Sequence, residues 1–156
     1  MFERIVVPLD GTPLARRALP YAVEIGKQFR SEMLLVRVVK SAQLILSGFD
    51  GPAAVEIIAE AAQGADRRNL SKASRYLDAA RRSLEAQGLK VGTYTVLGAP
   101  GEEILKLCKE KKASLVVMTT HGRAGLRRAW IGSVADEIVR SSVVPVMVIR
   151  PEQGAG

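Results

Sequence analysis

The chain is poor in the residues that carry most redox and metal chemistry. Cys108 is its single cysteine and His121 its single histidine. One thiol excludes an internal disulfide and any multi-cysteine metal site, and one imidazole excludes the multi-histidine ones. Cys108 shares a helical pattern with Ile104 and Leu107 and reads as a packing residue, since a buried cysteine behaves as a small hydrophobe. Aromatics are scarce as well: three Phe, three Tyr and one Trp, none interleaved with a basic run as a nucleic-acid stacking platform requires. No apolar stretch approaches the roughly 20 residues that span a bilayer. Glu3 and Arg4 are followed at once by a strand-like run instead of a leader, so a cytoplasmic protein without a membrane is expected.

What is present is a core-building composition. Of 156 residues, 47% are hydrophobic, enough for one domain, here placed at residues 1–150 with a short tail at 151–156. The formal charge of +7 favours anionic partners, from nucleotides to nucleic acid, but it equally describes a solvated basic surface. No basic segment points to nucleic acid.

Short apolar runs alternate with longer amphipathic ones. Arg4 to Leu9 reads as a first strand, followed by a turn with Thr12 as N-cap and Pro13 at the first helical position. Leu14, Ala18, Tyr21, Ala22 and Ile25 then recur at helical spacing, with Gly26 near the end of the helix and a kink expected at Pro20. Met33 to Val39 is the second strand. Residues 40–65 are the least legible, holding the apolar patch Leu44-Ile45-Leu46 and a weakly helical alanine-rich piece. A helix over residues 66–86 is predicted next, then a less buried third strand from Val91 to Leu97. Glu102 and Glu103 open the following helix where its dipole favours them. Leu115 to Met118, a helix over residues 134–140 and Val146 to Ile149 complete the pattern. Such alternation, with nearly continuous apolar strands, predicts a doubly wound, five-stranded parallel sheet with helices on both faces.

In that architecture ligands bind beyond the carboxyl ends of the strands, where strand order reverses. The segments able to line the crevice are Pro8-Leu9-Asp10, the residues around Val38 to Lys40, and Thr119 to Ser133. The last is glycine-bearing, and positive φ at Gly122, Gly125 and Gly132 is expected to bring backbone close to a ligand. Gly132-Ser133 opens a helix whose free N–H groups suit an anion, with Arg123, Arg127 and Arg128 nearby. The same residues also suit an ordinary strand-to-helix loop, with Ser133 as a cap. His121 has no carboxylate close in sequence and reads as a loop-shaping or ligand-edge residue. Asp10 either lines the crevice or caps the first helix.

Gly122, nine intervening residues and then Gly132-Ser133-Val134 resemble the second half of the Gly-x2-Gly-x9-Gly-Ser/Thr motif of the universal stress protein family. Pro8-Leu9-Asp10 is similar to that family's first-strand ending, and Pro145 to Ile149 to its closing strand. The resemblance implies an adenine-nucleotide-binding fold of Rossmann-like type, and ATP with Mg²⁺ as its ligand. It places Asp10 and the backbone near Val38 at the adenine and ribose. Gly122, Gly132, Ser133 and Val134 would meet the phosphates, and Pro8, Met118, Thr119, His121 and Arg123 complete the implied set. It also implies a homodimer joined through Val146, Met147, Val148 and Ile149. One position departs: Thr119 stands where the motif's first glycine belongs, and its side chain either crowds the ligand path or lends it a hydroxyl.

A nucleotide-binding stress-response sensor acting on a regulatory protein partner, with slow ATP hydrolysis at most, is the leading expectation. An interaction protein of the same fold that binds no nucleotide is the alternative. A dedicated enzyme is disfavoured, because no positioned acid or base is evident.

Overall fold

The computed structural model describes residues 1–42, 52–120 and 132–150. Five strands, β1 (Arg4–Pro8), β2 (Glu32–Val39), β3 (Lys90–Leu97), β4 (Leu115–Thr119) and β5 (Val146–Ile149), form one sheet in the order β3-β2-β1-β4-β5. Every pairing is parallel. The helices that return the chain are α1 (Ala18–Phe29), α2 (Pro52–Glu85), α3 (Pro100–Glu110) and α4 (Ser133–Ser141), with a 3₁₀ turn at Ala15–Arg17 leading into α1.

Strand period divides the core in two. Ile5, Val7, Met33, Leu35 and Val117 pack beneath Ala18 and Ala22 of α1 and Leu77, Ala80 and Leu84 of α2. Their neighbours Val6, Leu34, Val36, Val116 and Met118 pack beneath Ile104, Leu107 and Cys108 of α3 and Ala135 and Ile138 of α4. Side chains alternate across the sheet while both faces are covered, so β1, β2 and β4 read as continuous apolar runs. The doubly wound parallel sheet expected from the sequence is the fold observed. β3 at one edge carries only half-buried or exposed residues, matching its weaker apolar character.

Two helical expectations change and one holds. Pro20 is the third residue of α1, where its amide needs no intrahelical acceptor, so the position requires no kink. Gly26 lies near the end of α1 as expected; the helix runs to Phe29 and closes on Arg30 at φ 55°. Gly26 is also a contact point, because a β-carbon there would lie 3.2 Å from Leu89 Cδ2. The helix expected to begin at residue 66 belongs to α2, which starts at Pro52 and spans 34 residues. Alanine-rich sequence propagates a helix well without supplying a strong apolar stripe, so the pattern understates its length.

Candidate functional site

Strand order reverses between β1 and β4, which makes their carboxyl ends the switch point of the sheet. Their ladder holds only at Ile5↔Leu115 and Val6↔Val116, whereas β1 stays paired with β2 through Pro8↔Val36. Pro8 supplies a reason. The Leu9 N–H donates to Val36 O on the β2 side at 2.8 Å, so the preceding amide position faces β4, and proline has no hydrogen there. The seam opens where the ladder lacks a donor.

Apolar side chains from three elements line one side of this opening. Met118 is buried among the residues beneath α3 and α4, and Val38 and Val134 pack against the same cluster. Pro8 shares that face by alternation from Val6. Sequence reasoning chose these four separately, and the fold brings them to one wall. Thr119 is 5% exposed and sits one residue after Met118, so its side chain turns toward the opposite, α1-bearing face. It does not occupy the wall.

α4 begins beside that wall, with Val134 as its second residue. Gly132 is its N-cap, no side chain among the described residues caps the helix, and Ser133 is exposed at its first position. The leading N–H groups of such a helix suit an anion. Gly132 has φ −55° and ψ 155°, which corrects the expectation of positive φ: any residue adopts this backbone. What glycine supplies here is the absence of a side chain. Asp136 in the first turn is held by Arg140 at 2.8 Å, which offsets its charge. His121, Gly122 and Arg123, with Gly125, Arg127 and Arg128, lie outside the described residues.

At the end of β1, Asp10 Oδ1 accepts from both the Thr12 N–H (2.9 Å) and the Thr12 hydroxyl (2.6 Å), and Thr12 Oγ1 in turn accepts from the Ala15 N–H (3.2 Å). This corrects the expected helix start: Leu14, not Thr12, is the N-cap of the 3₁₀ turn at Ala15–Arg17, and Pro13 lies in the turn before it, so Thr12 and Asp10 brace that turn from outside the helix. Gly11 between them has φ 87°, and a β-carbon on it would lie 2.9 Å from the Arg37 guanidinium. That guanidinium also stacks over Tyr76, 5.2 Å from the ring centre. The Tyr76 hydroxyl is buried without a hydrogen-bond partner. Burial pushes its pKa up, against the pull of Arg16 and Arg37 and with a smaller push from Asp10. Arg37, Tyr76 and Gly11 were not among the sequence candidates. The signal was a cation interrupting the apolar run from Met33 to Val39, in a strand otherwise buried on both faces.

Among the described residues, no group of three His, Cys, Asp or Glu side chains is placed to hold a metal ion, and no helix is long and apolar enough to cross a membrane.

The family model described as "Universal stress protein family" matches residues 1–150. The chain belongs to the universal stress protein family. Universal stress protein MJ0531 of Methanocaldococcus jannaschii is 30% identical over 150 residues, covering 96% of this chain and 83% of the relative. Among solved structures, that of MJ0577 from the same organism superposes with a TM-score of 0.80 at 23% identity, covering 97% of this chain and 98% of the other. A universal stress protein in complex with cAMP superposes at TM-score 0.61 and 21% identity, covering 96% and 97% of the two chains. A member from Arabidopsis thaliana with AMP bound does so at 0.66 and 16%, covering 96% and 92%. For this universal stress protein, the two complexes establish likeness of fold, and the crevice is at the pole where such a fold binds ligands.

Proposed function

We propose that this protein is a cytoplasmic ATP-binding sensor of the stress response that takes the nucleotide at the β1–β4 seam. The observation that carries the reading is the pairing of an apolar wall with the N-terminus of α4 beside a seam that Pro8 leaves open. A purine base suits Val38, Met118 and Val134, and phosphate suits the leading amides of α4. The cAMP and AMP complexes of structural relatives support an adenine nucleotide. A Mg²⁺ arriving with its triphosphate keeps much of its water and phosphate coordination and needs few protein ligands. Bound Mg²⁺ would supply charge neutralisation; the protein's own groups would orient the nucleotide. Asp10 would bind at the ribose side, with hydrolysis slow for lack of a positioned base.

Gly132→Val is the test. Its backbone angles suit valine, so the fold should survive while the added methyls block phosphate approach. Calorimetry with ATP and Mg²⁺ on nucleotide-free protein should show saturable binding, ATP preferred over GTP, and its loss in the variant. Undiminished ATP affinity in folded Gly132→Val would remove this site.

A second reading, an interaction protein of the same fold without nucleotide, is favoured by Thr119 at the position of the motif's first glycine. It requires that ATP leave the wild-type thermal midpoint unmoved. Under both readings the active form is a homodimer joined through the β5 edge and serves a regulatory protein partner. Supporting the dimer, Val139, Val143 and Met147 are exposed apolar residues at that side of the molecule.

A further inference from the structure

α2 enters at the carboxyl pole of the sheet, and its 34 residues make it about 51 Å long against roughly 26 Å for the eight-residue β2. It therefore overhangs the sheet on the side of the crevice. Asp66 marks where overhang meets sheet. Its Oδ2 accepts from the Ser41 hydroxyl at 2.8 Å and its Oδ1 from the Ala42 N–H at 2.7 Å. Both carboxylate oxygens are spent on two consecutive residues outside their own helix. Aspartate is an indifferent helix former in mid-helix, so the helix itself does not call for it.

Ser41 and Ala42 follow the end of β2 at Val39, and Val38 is the β2 member of the apolar wall. The chain leaving Val38 is thus held at both ends: by the ladder of β2 with β3 through Val39↔Leu97, and by Asp66 two residues further on. Between these anchors lies the backbone that borders a base resting on Val38. Its amides and carbonyls can distinguish purines, because adenine and guanine present opposite donor and acceptor patterns along their pairing edges.

We infer that Asp66 is a positioning residue for the base side of the crevice, fixing the β2 exit through Ser41 and Ala42 and thereby setting purine selectivity. This rests on the nucleotide reading above. Asp66 meets no ligand itself; it acts through the segment it grips. Charge-assisted hydrogen bonds of this length are the strong kind, and losing both leaves the exit to solvent exchange.

The test compares the full-length wild type with Asp66→Ala, Asp66→Asn and Ser41→Ala. ATP and GTP titrations report the base side, and inorganic tripolyphosphate reports the phosphate side alone. Asp66→Ala should weaken ATP about tenfold, narrow the ATP/GTP ratio and leave tripolyphosphate unchanged. Asp66→Asn, which keeps one acceptor, should fall between, and Ser41→Ala should repeat the effect in part without altering α2. In ligand-free protein the Ala42 amide should exchange faster in Asp66→Ala. A folded Asp66→Ala or Ser41→Ala that keeps wild-type ATP affinity and ATP/GTP ratio overturns the inference and leaves the nucleotide reading standing. A wild type that takes neither ATP nor tripolyphosphate overturns that reading, and the inference falls with it.

Discussion

Cys108 is 4% exposed among Ile104, Leu107 and the apolar side chains beneath α3 and α4. Burial pushes its thiol pKa from 9.0 up to about 11, only slightly opposed by a backbone hydrogen bond. The folded state therefore prefers the protonated thiol. Its contribution to stability is whole below pH 9, where both states are protonated, and is lost as pH rises toward 11. Stability of the wild type should fall relative to Cys108→Ala across that window, by about 2–3 kcal/mol at most. Urea unfolding of both proteins from pH 8 to pH 11 measures the difference, and parallel curves would refute the buried-thiol account. At the other pole Tyr76, Arg37 and Gly11 show that residue-level chemistry depends on neighbours far apart in sequence. Arg37 was visible as an anomaly in an apolar run; its place over Tyr76 was not, because α2 brings Tyr76 there.

α2 shows what an element owes to packing rather than to its surface. Leu77 is fully buried in the core that α1 and α2 cover, whereas Arg81 reaches Asp78 at 3.3 Å and Glu85 at 3.5 Å with all three side chains more than a third exposed. Surface pairs of that kind contribute a few tenths of a kcal/mol. Leu77→Ala should cost about 3 kcal/mol, read as a drop in urea midpoint at unchanged slope. A loss below about 1 kcal/mol would mean the core closes over the gap. The same helix sets the limit of what sequence pattern conveys. Strands β1, β2 and β4 were legible because covered parallel strands are nearly unbroken apolar runs. Pro8 and Val38 were legible as candidates because each borders a strand end, while Met118 and Val134 came with the family resemblance. Asp66 was not: it marked only the predicted start of a helix, and the true length of α2 places it mid-helix with its carboxylate turned to Ser41 and Ala42.

At the scale of the molecule the two sheet edges differ. β3 is eight residues long and carries Lys90 at its start and the hydroxyl residues Thr93, Tyr94 and Thr95 in its middle, while β5 is four residues long with Met147 38% exposed, close to Val143 at 91%. A parallel sheet leaves such an edge open to pairing, and a second copy is the expected cover. Met147→Lys should convert a dimer into a monomer by sedimentation while leaving ATP affinity per chain intact. A monomeric wild type, or a dimeric variant, would place the interface elsewhere.

The two-residue ladder between β1 and β4 also has a temporal meaning. Arg4 meets Glu32 across 28 positions and Val116 meets Val146 across 30, but Ile5 meets Leu115 across 110. Closing that longest loop costs about 1 kcal/mol more than either short one, so the two halves are expected to form first and their suture last. The crevice is that suture. A nucleotide lodged in it would act as a rivet at the open end of a seam whose backbone bonds lie at the opposite end, around Arg4 to Val6.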